Sequence, residues 1–167
     1  NKALEIDSKL AAAKNRIGKI YLTQNNPEFF LPAFEEAIAL DPAYAPAYYE
    51  LFYYWYFRDV NKAGQYLNNF IANADQGPGT EYLKTDYTYA KGDFAGARTQ
   101  AQALITQFGD KVNPRMYRMV AYTSDTLGEP DVAKQAMLTY LQKAPPEDIL
   151  PADYEELERR GIDVRGK

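Results

Sequence analysis

A repeat constrains this chain more than any other feature. The stretch "ALEIDSKLAAA" at 3–13 is echoed by "AIALDPAYAPA" at 37–47, which sets Asp7 and Asp41 34 residues apart. Farther on, "KGDFAGARTQAQALITQF" (91–108) and "LGEPDVAKQAMLTYLQKAP" (127–145) share a frame of Gly, acidic residue and Ala, with Gly92 and Gly128 36 residues apart. A period of this size means one small supersecondary unit copied along the chain. Local chemistry says which unit. "FEEAIAL" and "AQALITQF" place apolar residues at helical intervals rather than in strand alternation. Asn26-Pro27 and Asn113-Pro114 each set a capping side chain before a Pro at the first helical position, where its missing N–H costs nothing. Asp59 and Asp93 are expected caps of further helices, and Gly77-Pro78-Gly79 breaks the chain between two units. Helix pairs this short cannot bury an apolar face alone, so neighbours must stack to supply the core. The expected fold class is all-α, a solenoid of stacked antiparallel helix pairs.

The stretch "AYYELFYYWYFRDV" holds eight aromatic residues in the ten positions from Tyr48 to Phe57. On a helix these divide into two faces. Tyr48, Leu51, Phe52 and Trp55 form one stripe, expected to pack in the core. Tyr49, Tyr53, Tyr56 and Phe57 form a second, offset stripe. Four exposed rings together exceed the few hundred Å² at which an apolar patch usually marks an interaction surface. Neighbouring helices filling that surface are the competing reading.

Composition removes most chemistry. With no Cys and no His, the chain lacks disulfides, thiolate catalysis, imidazole bases and zinc sites built on either residue. A net charge of −4 gives no reason to expect a nucleic-acid partner. No apolar run reaches the roughly 20 residues needed to span a bilayer, so no membrane insertion is expected. Glu35-Glu36 and Glu155-Glu156 are adjacent pairs that point to different sides of a helix and cannot share a substrate. "GPG" at 77–79 lacks the Lys and Ser/Thr of a phosphate loop, and no calcium-loop spacing follows Asp59. The expectation is a non-enzyme without cofactor or metal. The opening "NKALEIDSKL" has neither an initiator Met nor a signal-peptide pattern, the look of a mature or cut chain.

At these residues the sequence resembles the tetratricopeptide repeat family. Counted from Ala11, Ile17, Gly18 and Tyr21, then Phe34, Ala37 and Pro42, fall on that family's small, aromatic and Pro positions. A second unit from Ala45 has one residue fewer in its internal turn, after which Ala63, Leu67 and Phe70 fit. A fourth, from Pro114, aligns Tyr117, Val120 and Ala121, then Ala133, Met137, Tyr140 and Pro145. In the third, Gly92, Ala97 and Leu104 fit, but the first helix places Glu81, Lys84, Thr85 and Thr88 at core positions. That helix is either shifted in register or little buried. The resemblance implies a right-handed superhelix in a single domain, with units at about 11–44, 45–77, 78–113 and 114–147. Residues 1–10 read as the tail of a preceding helix. Residues 148–167 read as a further helix or cap, with Tyr154 and Leu157 in its core and Gly161 as its stop.

The resemblance also implies a concave binding groove for an extended peptide or a partner helix. Its lining would come from Asn15, Lys19 and Leu22, then Tyr49, Tyr53, Tyr56 and Phe57. Tyr82, Asp86 and Tyr89 follow, and Arg115, Arg118, Tyr122 and Asp125 complete it. Rings suit apolar side chains and Arg suits a carboxylate. The places where chaperone cofactors of the family hold a C-terminal carboxylate carry Asn15, Lys19, Glu50, Gly79 and Leu83, which does not fit that use. The implied partner is another protein or peptide. The alternative is an assembly segment whose aromatic surface and end faces pack on a sister chain or on the rest of a longer protein. The texture is similar to exported bacterial members, which places the periplasm or cell envelope ahead of the cytoplasm.

Overall fold

A computed structural model describes residues 2–75 and 77–159. Among them lie nine α-helices and two short 3₁₀ turns, with no strand. The chain divides into two compact units, residues 1–90 and 91–167. In the first, α1 (Lys2–Thr23), α2 (Pro27–Leu40), α3 (Ala45–Trp55), α4 (Val60–Asn73) and α5 (Pro78–Ala90) each pack on the next. In the second, α6 (Phe94–Phe108), α7 (Arg115–Thr126), α8 (Pro130–Lys143) and α9 (Pro151–Arg159) do the same. No helix among the described residues is long and apolar enough to cross a membrane.

The helix ends follow local chemistry. The Asp59 carboxylate accepts the Lys62 N–H at 3.0 Å and that of Asp93 the Gly96 N–H at 2.9 Å, capping α4 and α6. Asn113 accepts the Arg115 N–H at 3.0 Å, whereas Asn26 makes no side-chain cap. The chain turns out of α1, α5 and α7 through left-handed residues, Asn25 (φ 51°), Gly92 (φ 82°) and Gly128 (φ 79°). A residue without Cβ adopts that conformation at little cost, which accounts for both glycines. After α3 the shorter turn needs no such residue; Arg58 and Asp59 both donate their N–H to the Trp55 carbonyl at 2.9 Å.

One expectation meets a different chain path. Asp7-Ser8 echoes Asp41-Pro42, yet α1 runs through it as one helix. At 41–42 the Pro cannot donate, and Asp41 instead accepts the Ala43 N–H at 3.0 Å. At 7–8 nothing removes a donor, so the helix continues. Gly161 lies outside the described residues.

Small residues sit where helices approach. Ala11, Ala37 and Ala47 are fully buried at the meeting of α1, α2 and α3, with Ile38, Leu40 and Tyr44 around them. Phe30, Phe34 and Leu51 form a second cluster, and Phe52, Ala63, Leu67 and Leu83 a third that joins α3, α4 and α5. In the second unit Ala97, Leu104, Met116, Val120, Met137, Tyr140 and Leu157 are buried. In α5, Thr80, Tyr82, Leu83, Thr85, Asp86 and Thr88 are buried, while Glu81 is exposed. The buried face thus keeps Thr85 and Thr88 of the repeat register, turns Glu81 out and takes in Tyr82, Leu83 and Asp86. Thr85 and Thr88 tolerate burial because their hydroxyls donate to the carbonyls of Glu81 and Lys84, at 2.9 and 3.0 Å.

Candidate functional site

The aromatic run divides less sharply than the two stripes predict, because Tyr53 and Tyr56 of the second stripe pack on the same core as Trp55 of the first. Tyr48, Leu51 and Phe52 are buried, and Trp55 is half-buried under the Lys62 ammonium, 3.8 Å from its ring centroid. The second stripe forms a row of rings in mutual contact. Tyr49 meets Tyr53 edge-on at 4.9 Å, and Tyr53 lies 6.1 Å from Tyr56. Tyr56 meets Phe57 at 4.2 Å, and Phe57 meets Tyr89 of α5 at 6.3 Å. Edge-to-face pairs at such distances hold each ring's orientation, so the row is a preformed surface. Its exposure is graded. Phe57, in the turn just past α3, is 72% exposed and Tyr49 36%, while Tyr53 and Tyr56 are half-buried against the α3–α5 core and Tyr89 is half-buried beside Phe57. Tyr82 is buried in that core.

The polar members of the expected groove are engaged in a recurring clasp. Tyr53 donates its hydroxyl to Asp86 Oδ2 at 2.7 Å, 33 residues along, from α3 to α5. Tyr122 donates to Asp153 Oδ1 at 2.8 Å, 31 residues along, from α7 to α9. Lys19 of α1 makes the equivalent bridge to Glu50 of α3 at 2.9 Å. The hydrogen bond to Glu50 holds the Lys19 ammonium above its ordinary pKa. Each clasp joins alternate helices one repeat apart, and it stabilises their side-by-side packing. The signal was present in the sequence as a donor and an acid separated by nearly the repeat period.

In the second unit Asp153 is the hub. Fully buried, it accepts from Tyr122 and from the Leu150 N–H at 2.9 Å, and it forms an ion pair with Arg118 at 3.5 Å. Burial, then the bond to Asp153, pushes the Tyr122 phenol well above the usual tyrosine range. Of the two residues that sequence reasoning placed in this core, Leu157 is fully buried and Tyr154 only half-buried, and the buried Asp153 was missed. Arg115 and Arg118, a turn apart on α7, line a polar cavity of about 290 Å³ with Asn113, Tyr140 and Asp148. A shallow apolar groove of about 700 Å³ lies across α6, α7 and α8, lined by Ile105, Tyr117, Val120, Val132 and Ala136 among others.

Of the sequence-derived groove residues, Tyr49, Tyr53, Tyr56, Phe57 and Tyr89 come together in one surface. Asn15 is buried, and Lys19 lies exposed beside Glu50. Arg115, Arg118 and Tyr122 belong to the second unit. No group of three or more carboxylates suited to a metal occurs among the described residues. Comparison of the sequence with protein-family models and with curated proteins gave no match.

Proposed function

We propose that the chain is a non-catalytic interaction module, a right-handed helical-repeat solenoid of tetratricopeptide type. It binds an extended peptide or partner helix of another protein on the aromatic surface of α3 and α5. One observation carries this reading: a row of rings locked in orientation, with Phe57 and Tyr49 presented to solvent. Large exposed rings on a rigid frame favour binding because little conformational freedom is lost on contact. The Tyr–Asp and Lys–Glu clasps support the repeat reading, since they recur at nearly the repeat spacing.

The test is selection of peptides from a displayed library on the intact chain, followed by calorimetric titration of a selected sequence. Phe57→Ala combined with Tyr49→Ala is expected to weaken binding at least about tenfold while the thermal midpoint stays put. Undiminished binding by this variant would move the site elsewhere on the molecule.

A further inference from the structure

The groove across α6, α7 and α8 has a filled counterpart in the first unit. Backbone bonds fix the correspondence between the two. Ala63 of α4 and Ala133 of α8 each donate their N–H to the carbonyl of the residue preceding their helix, at 2.9 and 3.1 Å. Phe30 of α2 and Ala97 of α6 do the same, at 3.1 and 2.9 Å. Ala47 of α3 and Met116 of α7 each donate three residues back, to Tyr44 and Asn113. In that register Ile38, Tyr48 and Leu51 correspond to Ile105, Tyr117 and Val120, which line the groove. Tyr66 corresponds to Ala136.

The two clefts therefore differ by one ring. In the first unit Tyr66 and Ile38 pack on the Phe30–Phe34–Leu51 cluster. The Tyr66 ring lies 6.5 Å from that of Tyr48, and burial, then Glu35, raises its phenol above the ordinary tyrosine value. In the second unit that place holds only the methyl group of Ala136, and the cleft stays open with about 700 Å³. Gln102 stands where the first unit has Glu35, so an uncharged amide is set to meet a phenol. The Thr106 and Thr139 hydroxyls donate to carbonyls of their own helices at 2.9 Å and demand no polar partner. An apolar cleft shaped around a ring, and lacking one, accepts a ring from outside.

Two features name the carrier of that ring. The groove is shallow, whereas sites for free small molecules bury about 70–90% of their ligand. A ring anchored on a larger partner adds the contacts that the groove alone does not give. Among the described lining residues Asp131 alone carries a charge, and it is exposed, so an acid beside the ring is repelled.

We propose that this groove takes a tyrosine side chain of another protein, in a segment with basic or neutral residues beside it. The site belongs to the second unit and stands or falls independently of the ring row on α3 and α5. The probe is a blocked pentapeptide with a central Tyr between two Lys, titrated into the intact, isotope-labelled protein and followed by amide NMR. Saturable shifts are expected at Thr106, Val120 and Ala136. Leu in place of the Tyr, or Glu in place of both Lys, is expected to weaken binding at least about threefold. Ala136→Tyr supplies the ring from within. It is expected to abolish binding and to raise the thermal midpoint by about 2–4 °C. An unchanged or lowered midpoint overturns the proposal, because the cleft then has no room for a ring placed as Tyr66 is. Equal affinity for the Tyr and Leu peptides overturns it, as do shifts that gather outside α6, α7 and α8. p-Cresol binding as tightly as the peptide overturns it in favour of a free small aromatic molecule. A dimer of the protein alone that Ala136→Tyr dissolves does so in favour of a second copy.

Discussion

Gly18 presents its bare Cα to the ring of Phe34, and a Cβ built there overlaps ring carbons of that fully buried side chain. Phe34 is held by its cluster and cannot retreat, so Gly18→Ala forces α1 and α2 apart. The expected cost is about 1–3 kcal/mol by urea denaturation. Gly79→Ala, where a Cβ meets nothing within 4 Å, is the control and is expected to be neutral or stabilising by up to about 1 kcal/mol. Equal losses in the two variants would remove the packing explanation. The same contrast separates neighbours in the aromatic run. Phe52 is fully buried and its truncation to Ala should cost about 3–5 kcal/mol, whereas Phe57→Ala should change stability by less than about 0.5 kcal/mol. The hydroxyl of the adjacent Tyr53 holds α5 in place. Tyr53→Phe strands the buried Asp86 carboxylate without one of its donors, at an expected cost of about 1–3 kcal/mol.

At the scale of the element, one buried carboxylate of α9, Asp153, meets a phenol and a guanidinium of α7, and the phenol makes the attachment sensitive to alkali. Tyr122 keeps its proton in the folded state above its ordinary value because burial and Asp153 both disfavour the phenolate. A raised folded pKa means that the contribution to stability is complete below the unfolded value of about 10 and is lost as pH rises through the folded value. Tyr122→Phe should therefore be less stable than the parent by about 1–3 kcal/mol at pH 7, with the gap narrowing above about pH 10. A gap that stays constant through that range would mean the phenol does not titrate against folding. Sequence patterning reached some elements and not others for physical reasons of this kind. The caps at Asp59 and Asp93 and the turns at Gly92 and Gly128 are local chemistry, readable within a few residues. The buried face of α5 was not readable, because Thr85 and Thr88 look polar until their hydroxyls are seen bonded to their own helix. Ile17, expected in the core by repeat register, is 43% exposed because α1 buries its other side. The ring row was legible as a helical stripe, but the clasps that consume Tyr53, Lys19 and Tyr122 require knowing which helices lie one repeat apart.

For the molecule as a whole, the two compact units imply that stability is distributed and not held in one core. Helical repeats behave as a sum of unit stabilities and nearest-neighbour terms, so a defect in one unit is felt there first. The single Trp of the chain, Trp55, lies in the first unit and packs against its Phe52–Leu83 cluster. Met137 lies in the second, 2% exposed on α8. Met137→Ala removes about 2–5 kcal/mol from the second unit through lost burial and the cavity left behind. Followed in urea, far-UV circular dichroism reports every helix, while Trp55 fluorescence reports the first unit. The expected outcome is a dichroism curve that broadens and shifts to lower urea while the fluorescence midpoint moves much less. If both probes shift together by the same amount, the chain unfolds in one cooperative step and the sum-of-units description fails.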